Sequence, residues 1–154
     1  MDIDGVLTDG KVTMDSLGNE FKTIDFKDID AIFEMKRQGL KVGLLTGEAT
    51  PMTLFFRERF KPDFFYNDCK DKTAALNQIL AQTGASNDEV CYVGDGKYDM
   101  AIMKRVKFRA SPANAIPNVR KLSNIELERN GGDGCIWELM EWVKKRNRRD
   151  SNNA

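Results

Sequence analysis

Two aspartates stand one residue apart at the start of the chain, Asp2 and Asp4 in DIDGVLTDG, and two more, Asp95 and Asp99, lie in GDGKYD. A pair of carboxylates suits phosphoryl transfer, because one oxygen can attack phosphorus while the other carboxyl gives a proton to the leaving oxygen. In an extended segment residues i and i+2 face the same way, so Asp2 and Asp4 are expected at one site with Ile3 turned towards the core. A carboxylate nucleophile cannot approach an anionic phosphate without positive charge. The acids of GDGKYD are of the oxygen type that holds Mg²⁺, with Asp95 the expected direct ligand. Thr46 in LLTGE offers a hydroxyl, Gly47 beside it a backbone N–H, and Lys72 in CKDKTAAL an ammonium for transition-state charge. Each has a simpler reading by itself: the D-x-D pair can cap a turn, Thr46 can cap a helix, and Lys72 can be a solvated helix residue. Their order is the distinguishing feature: acid pair, threonine, lysine, acid pair.

Composition narrows the chemistry further. The chain of 154 residues has no histidine, which removes serine–histidine and cysteine–histidine catalysis, histidine zinc sites and histidine proton relays. Three widely spaced cysteines, Cys69, Cys91 and Cys135, argue for buried free thiols rather than a disulfide framework. Basic and acidic side chains balance at 24 each, so no basic field invites nucleic acid or an anionic membrane. No apolar run approaches the roughly 18 residues of a membrane span, nothing at the start resembles a signal peptide, and a cytoplasmic location is expected.

The elements that must hold these residues follow from patterning. KVTM and EFKTI flank the turn formers of DSLGN and read as a β-hairpin over about residues 11–25. DAIFEMKRQG puts Ile32, Phe33 and Met35 on a helical pattern closed by Gly39, and LKVGLLT is a short strand ending in Thr46. A helix over TPMTLFFRERF, a strand DFFY, a helix KTAALNQILAQTG, a strand VCYVGD, a helix YDMAIMKRV and a strand KFRA continue the alternation. Such alternation implies an α/β fold with a parallel sheet and helices on both faces, whose ligands lie at the carboxyl ends of the strands. One domain over residues 1–146 is expected, with a flexible polar tail over 147–154.

The ordered motifs resemble those of the haloacid dehalogenase superfamily: DIDGVLTDG the first, LLTG the second, Lys72 the third and GDGKYD the fourth. The hairpin directly after the first motif and LERNGGDGCIWELMEWV near the end further resemble the small capless subgroup of 3-deoxy-D-manno-octulosonate 8-phosphate phosphatases and the related nonulosonate 9-phosphate phosphatases. The resemblance implies a three-layer Rossmann-like sheet without a large cap domain. It also implies Asp2 as the phosphorylated nucleophile and Asp4 as general acid and then base. Mg²⁺ would be held by the Asp2 carboxylate, the Asp4 backbone carbonyl and Asp95, with Asp99 supporting the metal from behind. The implied substrate is a phosphorylated 2-keto-3-deoxy sugar acid, and the implied assembly a homotetramer in which hairpins pack together and a neighbour helps cover the site. Glu48, where octulosonate enzymes tend to carry arginine, points to the nine-carbon 9-phosphate as the preferred substrate.

The chain departs from that pattern in places. Met1 alone stands where relatives have an apolar strand, so an incomplete start is expected, and the α-amino group is expected to compete for the Asp2 carboxylate. Gly96 and Tyr98 replace an acid and an asparagine of many relatives, and Asp133 and Trp137 stand where relatives often carry arginines. These departures support an alternative, a non-catalytic oligomerisation domain similar to the carboxyl-terminal domain of some sialic acid cytidylyltransferases. A phosphoacceptor receiver domain fits less well, because there the lysine comes last, after a lone mid-chain acceptor.

Overall fold

In the computed structural model, which describes residues 1–152, the turn formers of DSLGN fold as expected: Asp15 accepts from the Leu17 and Asn19 N–H groups. The hairpin they close is short, with β1 (Thr13–Met14) and β2 (Glu20–Phe21) antiparallel and a single bridge, Thr8 to Ile24, at its base.

Helix α1 (Phe26–Arg37) starts earlier than the apolar pattern implies, because the Asp25 carboxylate accepts from the Lys27 N–H and caps it. Its buried stripe is Asp28, Ile29, Ala31, Ile32 and Met35. Phe33, expected on that stripe, lies about 100° round from Ile32 and is 38% exposed.

Then follow β3 (Gly43–Leu45), α2 (Pro51–Phe60), β4 (Phe64–Tyr66) and α3 (Lys72–Thr83), which is capped by Asp71 and ended by Gly84 at φ +71°. After β5 (Cys91–Val93) the helix expected over YDMAIMKRV is replaced by a 3₁₀ turn, Lys97–Asp99, leading into a four-residue α4 (Met100–Met103). The Asp99 carboxylate accepts from the Asp95 and Gly96 N–H groups, which holds the chain in that tighter turn. The chain ends with β6 (Phe108–Ser111), α5 (Pro117–Leu122), β7 (Ile125–Glu126) and α6 (Cys135–Asn152). The segment expected as a flexible tail from residue 147 therefore continues α6 through Asn152, and residues 153–154 lie outside the described residues.

All five strands after the hairpin pair in parallel, in two groups: β3 with β4, and β5 with β6 and β7. Met1 and Asp2 join the groups. The Met1 amino group donates to Gly43 O, the Leu45 N–H donates to Met1 O, and the Asp2 N–H donates to Val93 O at 3.0 Å. An apolar cavity of about 480 Å³ continues the gap between β3 and β5, with Leu45, Val93, Phe108, Leu139 and Trp142 on its walls.

Helices cover both faces. On one, Ile3, Val6 and Leu7 pack with α1, α2 and α6 through Ile32, Phe56, Phe60, Ile136 and Met140. On the other, Leu45 and Tyr92 pack with α3, α4 and α5 through Leu76, Ile102, Met103 and Val119. This is the three-layer α/β arrangement, and among the described residues no large cap domain interrupts it.

Candidate active site

The first motif is extended only as far as Asp2. From Ile3 the chain turns: Ile3 O accepts from the Val6, Leu7 and Thr8 N–H groups, and Gly5 adopts φ +87°. Asp4 is thus delivered by a turn rather than by strand alternation, while Ile3 is buried as expected. Gly5 is required twice over, by its positive φ and because a Cβ there would stand 2.0 Å from Asp95 Oδ2. Gly131 closes over the same turn, where a Cβ would come within 1.8 Å of Gly5 O. The glycines of the late NGGDG run therefore serve to let one loop lie directly on the other.

Asp2 at the end of the Met1–Asp2 segment and Asp95 just beyond β5 come together because the Asp2 N–H is bonded to Val93 O. Lys72, the first residue of α3, points its ammonium between Asp2 Oδ2 at 3.0 Å and Asp99 Oδ1 at 2.7 Å, with its side chain only 4% exposed. Far from being a solvated helix residue, it is the buried cation of the cluster. The α-amino group expected to compete for Asp2 is turned to Gly43 O instead, and Asp2 Oδ1 accepts from the Ile3 N–H.

Electrostatics follow from this crowding. Burial, then the neighbouring Asp99 carboxylate, pushes the Asp2 carboxyl up to about 6 despite Lys72. Burial and the Asp2 and Asp99 charges push Asp95 up to about 7. Burial works to lower the Lys72 ammonium, but the Asp2 and Asp99 carboxylates outweigh it and the net displacement is upward. Carboxylate oxygens of Asp2, Asp95 and Asp99 lie within 4.8 Å of one another. An all-oxygen donor set with more negative charge than one lysine offsets fits a hard divalent cation. Within the set, Asp99 is already saturated: Oδ1 accepts from Lys72 and the Tyr92 hydroxyl, and Oδ2 from the Asp95 and Gly96 N–H groups. Asp2 and Asp95 keep the free lone pairs.

Thr46 is buried directly after β3, whose Leu45 is bonded to Met1, so its turn opens beside Asp2. Its Oγ1 accepts from the Glu48 N–H at 3.1 Å. Gly47 has open space above its Cα, and its carbonyl accepts from Lys70. Glu48 is exposed, and no hydrogen bond or ion pair joins its side chain to another described residue.

Several site residues had no local signal in the sequence. Tyr92 is buried in β5 and donates to Asp99. Thr8 is fully buried and its Oγ1 accepts from the Gly5 and Gly10 N–H groups, pinning the first turn. Lys22, on the return arm of the hairpin, places its ammonium 2.7 Å from Asp4 Oδ1.

Comparison with known proteins decides the family. Residues 60–139, just over half of the chain, match the model of the haloacid dehalogenase-like hydrolases. The chain belongs to the haloacid dehalogenase-like hydrolases. Within that family it groups with phosphatases. It is 25% identical over 142 residues to the 3-deoxy-D-manno-octulosonate 8-phosphate phosphatase of Yersinia pestis, covering 92% of this chain and 76% of that protein. It superposes with a TM-score of 0.88 and 26% identity on the crystal structure of the Moraxella catarrhalis enzyme of the same name, over 94% of this chain and 83% of that one. That crystal structure holds magnesium ion, phosphate ion and a KDO molecule. The corresponding enzyme of Haemophilus influenzae, 24% identical, shares the fold at a TM-score of 0.87 over 94% of this chain and 84% of that one. Among the described residues of this hydrolase no helix is long and apolar enough to cross a membrane. Asp133, just before α6, and Trp137, in its first turn, are both exposed.

Proposed function

We propose that this hydrolase releases phosphate from a phosphorylated 2-keto-3-deoxy sugar acid through an aspartyl-phosphate intermediate on Asp2. The observation that carries the reading is the buried cluster in which Lys72 bridges Asp2 and Asp99 while no ion pair among the described residues reaches Asp95. The substrate class rests on the activity named for the Yersinia pestis and Moraxella catarrhalis relatives.

In the first step an oxygen of the Asp2 carboxylate attacks phosphorus, the bond from phosphorus to the sugar oxygen breaks, and Asp4 gives its proton to that oxygen. In the second, Asp4 takes a proton from water as the water oxygen attacks phosphorus, releasing inorganic phosphate and restoring Asp2. The Lys72 ammonium, the Thr46 hydroxyl and the Gly47 N–H bind the phosphoryl oxygens, a role supported by their place at adjoining strand ends. A divalent cation, read as Mg²⁺ and held by the Asp2 and Asp95 carboxylates with the Asp4 backbone carbonyl, would screen the anionic nucleophile and phosphoryl group from each other. Asp99, taken up by four donors, orients Lys72 and the 95–96 backbone from behind.

Between the two sugar acids, Glu48 at the exposed rim of the Thr46 turn favours the nonulosonate 9-phosphate over 3-deoxy-D-manno-octulosonate 8-phosphate. Residues 1–146 act as one domain, and the functional unit is a homotetramer built through the hairpin. Phosphate release from the 8- and 9-phosphates, with Mg²⁺ and with chelator, tests the reading. Metal-dependent turnover of either supports the phosphatase, and a clear preference for the 8-phosphate overturns the role given to Glu48 alone. A folded protein that turns over neither substrate favours the non-catalytic oligomerisation domain.

A further inference from the structure

Lys22 is a buried cation that neither the motifs nor the mechanism above employs. In the return arm of the hairpin, Phe21 and Thr23 face solvent while Lys22 and Ile24 turn inward, as strand alternation requires. Its side chain is 7% exposed, and burying an ammonium is unfavourable unless a charge meets it. The charge it meets is Asp4 Oδ1, at 2.7 Å. The other oxygen, Asp4 Oδ2, is buried without a hydrogen-bond partner among the described residues. Thr8 Oγ1 reaches Oδ1 only at 3.5 Å, so the lysine is the principal anchor.

We propose that Lys22 is the positioning residue of the acid–base group: it holds Asp4 by Oδ1 and thereby fixes the carboxyl with Oδ2 as the oxygen left to meet the leaving group. A charge-assisted hydrogen bond to one carboxylate oxygen fixes the orientation of the group, and Oδ2, which has no partner among the described residues, is the oxygen left for the substrate. The hairpin thus acts on the chemistry from outside the sheet, through one side chain. This inference rests on the aspartyl-phosphatase reading and deepens it.

The test uses leaving groups, because an acid matters only where the leaving oxygen needs its proton. The probes are p-nitrophenyl phosphate, whose phenolate departs unprotonated, n-propyl phosphate, whose alkoxide does not, and the two sugar acid phosphates. For Lys22→Met, kcat/KM should fall about ten-fold or more further on n-propyl phosphate and the sugar phosphates than on p-nitrophenyl phosphate, a part of the 10²–10⁴ that general acids supply. Lys22→Arg, which restores a cation of similar reach, should recover much of that gap. Equal losses on all probes would make Lys22 a merely structural residue and overturn the proposal. A loss confined to the sugar acids, with n-propyl phosphate behaving like p-nitrophenyl phosphate, would make it a substrate contact and overturn it equally. Wild-type protein without turnover of any probe would instead remove the phosphatase reading, and this inference with it.

Discussion

Asp2, Asp95 and Asp28 share one property: each carboxyl is pushed up from 3.8 by burial first, to about 6, 7 and 6 respectively. A group whose folded value is raised binds more protons folded than unfolded, so its stabilisation is complete below the unfolded value and is lost as pH rises through the folded one. The Met1 amino group acts oppositely, since burial lowers it from 8.0 to about 6, and it opposes the carboxylates only above that value. In chelator, the melting temperature should therefore fall as pH rises from about 4.5 to about 6, and added Mg²⁺ should flatten that fall by taking the place of protons on Asp2 and Asp95. Thermal denaturation across that range checks it, and a melting temperature that climbs steadily in chelator would contradict it. At this scale the motif residues were legible because their type and order are local facts: an acid pair, Thr46, Lys72 and a second acid pair at strand ends. Lys22, Thr8 and Tyr92 were not. Their roles depend on which loop or strand lies opposite, and a lysine in a hairpin looks the same in sequence whether it faces water or Asp4.

Helix α6 illustrates the limit at the scale of elements. Its start is capped from α1 by Asp28, whose carboxylate accepts from the Gly134, Ile136 and Trp137 N–H groups. A cap more than a hundred residues away cannot be read from the segment it caps. Its partner stripe was also misjudged, since Phe33 is exposed and Asp28 is buried in its place. Asp28→Ala should cost about 1–3 kcal/mol, the penalty for leaving buried N–H groups unpaired, read from denaturant unfolding. Stability equal to the parent would show that α6 does not depend on α1 for its start. The strand and helix alternation itself was legible, because the apolar runs are short and bounded by Gly84, Pro51 and similar punctuation. The shortening of the helix after Asp95 was not, because it is imposed by Asp99 accepting backbone N–H groups that an ordinary helix would leave alone.

For the whole molecule, the hairpin carries apolar side chains that the monomer leaves in water: Met14 is 66%, Leu17 85% and Phe21 57% exposed. In the proposed tetramer these exposed side chains would be the surface through which the hairpins pack. Light scattering should give four chains per particle, and Leu17→Lys with Phe21→Lys should give smaller species; a monomeric wild-type protein at micromolar concentration would overturn the tetramer. Because Lys22 lies beside Phe21, packing of the hairpins would also steady Asp4. The α/β layering was legible from alternation alone, whereas the division of the sheet at β3 and β5 appears only when Met1 and Asp2 are seen bonding to both groups. The central claim remains chemical, and its most direct measurement is Mg²⁺-dependent phosphate release by the parent protein beside Asp2→Asn. An active parent and a folded variant that releases no phosphate above the uncatalysed rate are the predicted result. A variant that keeps the activity of the parent would contradict Asp2 as nucleophile.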